Sequence, residues 1–177
     1  KKISKALVNK ILSELKKDFD KDREGYEKFF EEFGAAFKEG IYEDFDRKKS
    51  LLDITLFKSS NSENYTSLNE YISRMKDEQT EIYYISGESI DQILTSPQIE
   101  GYKSRGLEVI YMVDPIDEFW LPSMNEYEGK SFKSITKGIV DLSKFDIKDE
   151  KDSKKKKPAT KKNIDNLISE MKNHLGD

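Results

Sequence analysis

Cysteine is absent, and histidine occurs once, at His174 near the C-terminus. No disulfide framework and no cysteine-ligated zinc site can form. The nine glycines are scattered. They form no GxGxxG or GxxxxGK loop to cradle phosphates and no GxSxG nucleophile elbow. No apolar run approaches the roughly 18 residues of a membrane span, and no signal peptide is visible. Basic excess is lacking too. The formal net charge of −4 argues against non-specific nucleic-acid binding, which normally uses a basic domain. What remains is a 177-residue chain, 35% hydrophobic and 37% charged. That is enough for one ordinary core or two small ones, with large solvated faces. A soluble protein of a reducing compartment, the cytoplasm, fits these absences.

The first 57 residues read as helical. Ile3, Leu7, Val8, Ile11, Leu12 and Leu15 recur at three- and four-residue steps and make one apolar stripe. Tyr26, Phe29, Phe30, Phe33 and Phe37 form an aromatic stripe, and Gly40 is a natural stop. Such a stripe is core packing far more often than a cofactor cleft. Leu51, Leu52, Ile54, Leu56 and Phe57 place a third helix over residues 47–57. A polar loop, Ser59 to Asn64, follows. Ser67-Leu68-Asn69-Glu70 is a capping box opening a helix with Leu68, Tyr71, Ile72 and Met75 inward.

An alternation of strand, helix, strand, helix, strand comes next. Ile82 to Ile85 is apolar throughout, as a strand buried on both faces would be. Residues 88–95 and 97–105 are helical segments split at Ser96-Pro97, with Ser96 as cap and Gly106 as stop. Leu107 to Val113 is the second strand. Residues 116–127 read as an amphipathic helix that Pro122 must kink or split. Gly129 closes it, and Ser131 to Thr136 is the third strand. The pattern predicts a small three-stranded parallel sheet with helices on its faces. Asp146 to Lys157 is nearly all charge, a solvated tether rather than a nuclear-import or phosphate-binding patch. A last helix, Thr160 to Leu175, carries Ile164, Leu167, Ile168 and Met171 on one face. The chain enters without a cap and stops just after that helix, as an excised segment of a longer protein would.

Two groups near the second strand could carry chemistry. Asp114, Asp117 and Glu118 cluster just past it, and acids at a strand end can hold magnesium. They also suit a helix N-terminus, where Pro115 is at home. Gly87-Glu88-Ser89 is a simple β-to-α turn rather than an anion site. Phe119, Trp120, Leu121 and Met124 crowd four large apolar groups into six positions, and one face of a helix cannot take them all. Either a neighbouring element covers them, or part of the group forms an exposed patch suited to protein binding.

Several strings in order resemble the middle domain of the heat shock protein 90 chaperones. They are Lys38-Glu39-Gly40-Ile41-Tyr42-Glu43-Asp44, Thr66-Ser67-Leu68, Tyr71-Ile72-Ser73-Arg74-Met75-Lys76, Ile82 to Glu88, Leu107 to Tyr111, Pro115-Ile116-Asp117-Glu118 and Glu126-Tyr127-Glu128-Gly129-Lys130. The bacterial or cytosolic branch is the nearest in flavour. The resemblance implies an ATP-driven, dimeric clamp for client proteins. Its ATPase domain, the arginine loop that meets the γ-phosphate and the dimerisation domain would all lie outside this segment.

The expected fold is α/β. Residues 1–65 form a helical connector of about three helices, and residues 66–138 a small three-stranded parallel α/β/α subdomain. A charged linker spans 139–158, and a helix at 159–177 leads toward the dimerisation domain. The function implied by the resemblance is to bind unfolded or client proteins and to couple the ATPase and dimerisation domains. The client surface would comprise Glu118, Phe119, Trp120, Met124 and Tyr127, although Pro122 departs from the usual family pattern. The segment itself should have no catalytic residue, metal or cofactor, ATP and magnesium belonging to the parent. Partners would be clients, co-chaperones and the parent's other domains, not nucleic acid or membrane. The segment should be monomeric, within a homodimeric parent. The alternative is a small α/β enzyme or receiver that uses Asp114, Asp117 and Glu118 to bind phosphate or magnesium.

Overall fold

The computed structural model describes residues 2–124, 126–138, 140 and 142–145, and side chains from Lys5 onward. Most of the expected charged linker and the whole of the last helix lie outside the described residues.

Two long helices open the chain, α1 (Lys2–Lys21) and α2 (Arg23–Glu43). Asp22 separates them, its side chain accepting the Gly25 N–H at 3.1 Å as an N-cap. In α1, Leu12 and Leu15 are half-buried, but Leu7, Val8 and Ile11 stay exposed. In α2, Tyr26 and Phe30 are core while Phe33 is exposed. Gly40 does not stop α2. The Asp44 N–H bonds the Gly40 carbonyl at 2.9 Å, and fully buried Ile41 anchors the added turn. Tertiary burial here outweighs the weak helix propensity of glycine.

The third expected helix is cut short. Only α3 (Lys48–Leu52) forms, and Leu56–Ser59 becomes strand β1. Leu56 faces one apolar cluster with Tyr26, Phe30 and Ile54, whereas Phe57 faces another with Trp120 and Ile110. That two-sided alternation suits a strand, and a short apolar run does not distinguish strand from helix by pattern alone. The expected polar loop is also a strand, β2 (Ser62–Ser67), paired antiparallel with β1. It is polar because it lies at the edge of the sheet and half of it faces water.

The Ser67 capping box forms. Ser67 Oγ accepts from Glu70 N at 3.2 Å, and Glu70 Oε2 from Ser67 N at 2.7 Å, opening α4 (Leu68–Ser73). Then come β3 (Glu81–Ser86), α5 (Ile90–Leu94), α6 (Pro97–Lys103), β4 (Ile110–Met112), α7 (Asp117–Trp120), a 3-10 turn (Leu121–Ser123), β5 (Glu126–Tyr127) and β6 (Lys130–Ser134). Ser96 does not cap α6 with its side chain, whereas Ser89 caps α5 by accepting from Gln92 N. Gly106, at φ 64°, ends the α6 region. The helix expected over 116–127 ends at Trp120 and passes into the 3-10 turn that holds Pro122, and Glu126–Tyr127 pairs with β6 instead.

Among the described residues the sheet has six strands, not three, in the order β2-β1-β4-β3-β6-β5. β4, β3 and β6 run parallel in its middle, and antiparallel strands flank them. On one face Ile82, Ile110 and Met112 meet Ile41, Leu52, Leu68, Tyr71 and Trp120. On the other, Tyr83, Ile85 and Tyr111 meet Ile93, Ile99 and Tyr102 of α5 and α6. Adjacent residues of β3 thus serve opposite cores, which is why Ile82 to Ile85 is apolar throughout.

Candidate functional site

β4 delivers the chain to Asp114-Pro115-Ile116 at the parallel strands' C-terminal end, and the Asp117 N–H bonds the Asp114 carbonyl at 2.9 Å to start α7. A lysine from α2 occupies the space between the two acids. Lys38 Nζ lies 2.6 Å from Asp114 Oδ2 and 3.1 Å from Asp117 Oδ2, and is itself buried. Its ammonium also stands 5.0 Å from the centre of the Phe57 ring. Burial pushes the Asp117 carboxyl up, and Lys38 and the indole of Trp120 draw it back part of the way.

Glu118 is exposed and does not share the Lys38 ammonium, and no group of three or more acidic or histidine ligands occurs among the described residues. Asp114 and Asp117 already have a resident cation. Their role is to tie α2 to the turn after β4.

The five expected client residues separate. Trp120 is fully buried, its ring 5.7 Å from Phe132 and 6.3 Å from Phe57, and its N–H donates to Asp117 Oδ1 at 2.8 Å. Tyr127 is buried too, donating its hydroxyl to Asp53 Oδ1 at 2.6 Å. Burial and then the Asp53 carboxylate push its phenol well above the usual range. Neither can present itself to a partner while the fold is intact. Trp120 is withdrawn from the expected surface because a one-turn helix must send one of two adjacent aromatics inward, and Tyr127 because it lies on β5, paired with β6 and bonded to Asp53. Phe119 is the outward one, 59% exposed. Glu118 is exposed beside it, and half-buried Met124 lines a groove of about 370 Å³ with Glu118, Leu121, Pro122, Tyr84 and Phe132.

Tyr42 completes the surface and was not anticipated. It lies near the end of α2, 55% exposed, with its ring edge-on to Phe119 at 6.1 Å. Lys38 was not anticipated either, although a signal exists. With Phe30, Phe37 and Ile41 it falls on the inward stripe of α2, where a lysine needs a buried partner.

Comparison with known proteins gives a consistent picture. The family model described as Hsp90 protein matches residues 1–177. "Chaperone protein HtpG" of Paramagnetospirillum magneticum is 42% identical over 177 residues, covering 99% of this chain and 28% of that protein. The same-named protein of Francisella tularensis subsp. novicida is 44% identical over 154 residues, 85% of this chain and 24% of its own length. The chain therefore spans about a quarter of the length of these relatives. Among solved structures, the middle domain of a Plasmodium falciparum heat shock protein superposes with a TM-score of 0.70 at 33% identity, covering 77% of this chain and 57% of that one.

Proposed function

The chain belongs to the Hsp90 protein family, and we propose that it works as part of the middle domain of an ATP-dependent chaperone, holding unfolded or client polypeptide and transmitting force between an ATPase domain and a dimerisation domain. In this reading the segment has no chemistry of its own. ATP, magnesium and the dimer contacts belong to the longer parent, in the cytoplasm. No described helix is long and apolar enough to cross a membrane.

The observation that carries the reading is the exposed Tyr42–Phe119 pair. Two large rings in edge-to-face contact and open to water are costly to leave solvated and suited to an apolar side chain of a partner. Glu118 adds a charge beside them, and the Met124 groove adds a recess with an adaptable thioether in its wall. An unfolded chain offers short apolar stretches without fixed shape, which such a surface can take without deep complementarity.

The test is binding of a fluorescein-labelled, reduced and carboxymethylated lactalbumin, followed by anisotropy. Phe119→Ala and Tyr42→Ala should each weaken binding while leaving the melting curve in place. Undiminished binding in both variants rejects this surface as the client site. Tight binding of ATP to the 177-residue chain in calorimetry would reject the assignment of nucleotide chemistry to the missing parts.

A further inference from the structure

Phe119 sits on a segment that cannot hold its own shape. α7 has four residues and the 3-10 turn after it three. So short a helix is unstable alone, because fixing its first turn costs more than its few hydrogen bonds return. Pro122 has no N–H, so the Glu118 carbonyl receives no helical partner from it. At its N-terminal end the segment is secured by Asp117, which Lys38 and Trp120 hold.

At its C-terminal end stands Lys48, from α3. Its Nζ donates to the Ser123 carbonyl at 2.9 Å and to Ser123 Oγ at 2.5 Å. That hydroxyl donates onward to the Trp120 carbonyl at 2.7 Å. Lys48 is buried, yet no carboxylate pairs with it among the described residues, and burial pushes its ammonium below the ordinary lysine range. A lone buried ammonium is unfavourable. Here it bonds the Ser123 carbonyl at the end of a helical segment, where the backbone dipole favours positive charge.

We propose that Lys48 is a positioning residue for the Phe119 surface: through Ser123 it fastens the far end of the Phe119 turn to α3, so that the helical connector sets where that aromatic stands. Lys38 and Lys48 then grip the segment at its two ends, and a displacement of α2 and α3 relative to the sheet carries Phe119 with it. The proposal rests on the reading of that surface as a client site only for its consequence in binding. The clamp itself stands apart from that reading.

The absence of cysteine allows a direct test. Glu118→Cys in the full 177-residue chain carries a nitroxide spin label next to Phe119. Its spectrum should show a restricted label. Lys48→Met in that background should broaden the range of motion and sharpen the spectral lines, while Lys48→Arg, which keeps the donors and the charge, should restore restriction. In the unlabelled chain, Lys48→Met should weaken binding of the unfolded lactalbumin about tenfold. Should Lys48→Met unfold the whole chain, Ser123→Ala, which deletes the hydroxyl link and leaves only the carbonyl contact, should loosen the label in part in a folded protein. An unchanged label spectrum in Lys48→Met, or in Ser123→Ala where that variant replaces it, overturns the clamp, as does failure of Lys48→Arg to restore it. Phe119→Ala that leaves lactalbumin binding intact overturns the client reading instead and leaves the label result to judge the clamp.

Discussion

The indole of Trp120 donates its single N–H to Asp117 Oδ1 at 2.8 Å, while the other oxygen of the same carboxylate faces Lys38 at 3.1 Å. The chain's only tryptophan is therefore bonded into the most buried ion pair among the described residues. Its neighbour Phe119 is free to face water because this contact decides which of the two rings turns inward.

Trp120→Ala should cost about 3–5 kcal/mol, the usual loss for a buried large aromatic. In a chain of this size that lowers the melting temperature by roughly 2–4 °C per kcal/mol. Trp120→Phe keeps most of the apolar contact and removes the donor, so about 1–3 kcal/mol should go. Urea unfolding followed by circular dichroism measures both. Native tryptophan emission should be blue-shifted and shielded from iodide, and free quenching in the folded chain would contradict this burial.

Lys38→Met leaves Asp117 buried without its cation, with Asp114 a further acid close by. The expected cost near pH 7 is about 3–5 kcal/mol. Burial raises the Asp117 carboxyl, and losing Lys38 raises it further. A carboxyl raised in the native state favours folding at low pH, and that advantage disappears as pH climbs through the raised value. The gap between variant and parent should therefore narrow as pH falls from 7 toward 4. Adding Asp117→Asn should recover part of the loss. Denaturant midpoints at several pH values decide the matter, and a gap that widens on acidification counts against it.

Ser67→Ala removes one half of the capping box and should cost about 1 kcal/mol. Glu70 carries the other half. Burial alone would raise its carboxyl, but the Ser67 N–H and Arg23 hold it below the ordinary range. Such a group stabilises the fold above its unfolded value of about 4.3, and the stabilisation is lost as pH drops through the lower native value. Glu70→Gln should flatten the acid limb of stability against pH, measured by thermal melts between pH 2 and 6.

Gly129→Ala isolates backbone strain. Gly129 has φ +71° in the two-residue turn joining β5 and β6, and an added Cβ there would meet nothing within 4 Å. With no clash possible, the cost should be only that of a left-handed alanine, roughly 1–2 kcal/mol. A chemical melt that does not move would mean that the turn readily adopts another geometry.

Much of the architecture was legible from pattern. The long helices, the Ser67 box, the apolar β3 and the Gly106 stop all depend on residues close in sequence, and local rules read them correctly. The errors have one physical origin. Leu56 and Phe57 match helix and strand equally well until β2 and β4 are there to pair with them. Ser62 to Ser67 looks like loop because an edge strand needs few apolar residues. Gly40 stays helical because Ile41 has a core to enter. At the site, the crowding of Phe119, Trp120 and Met124 was visible, but their division into surface, core and groove was not. Tyr42 and Lys38 lie 76 to 79 residues away from their partners in the chain, and no local rule links them.

By itself the sequence determined the class of molecule. It lacks cysteine and any phosphate-binding glycine loop, it alternates helix and strand, and its ordered strings identify the family. Local periodicity and capping chemistry suffice for that because they are written between near neighbours. Only the tertiary structure decided that Asp114 and Asp117 share the Lys38 ammonium, and that Phe119, not Trp120, faces the solvent beside Tyr42. A buried charge must find its counter-ion and a large ring its cavity across the fold, and those distances exist only once the sheet and helices have come together.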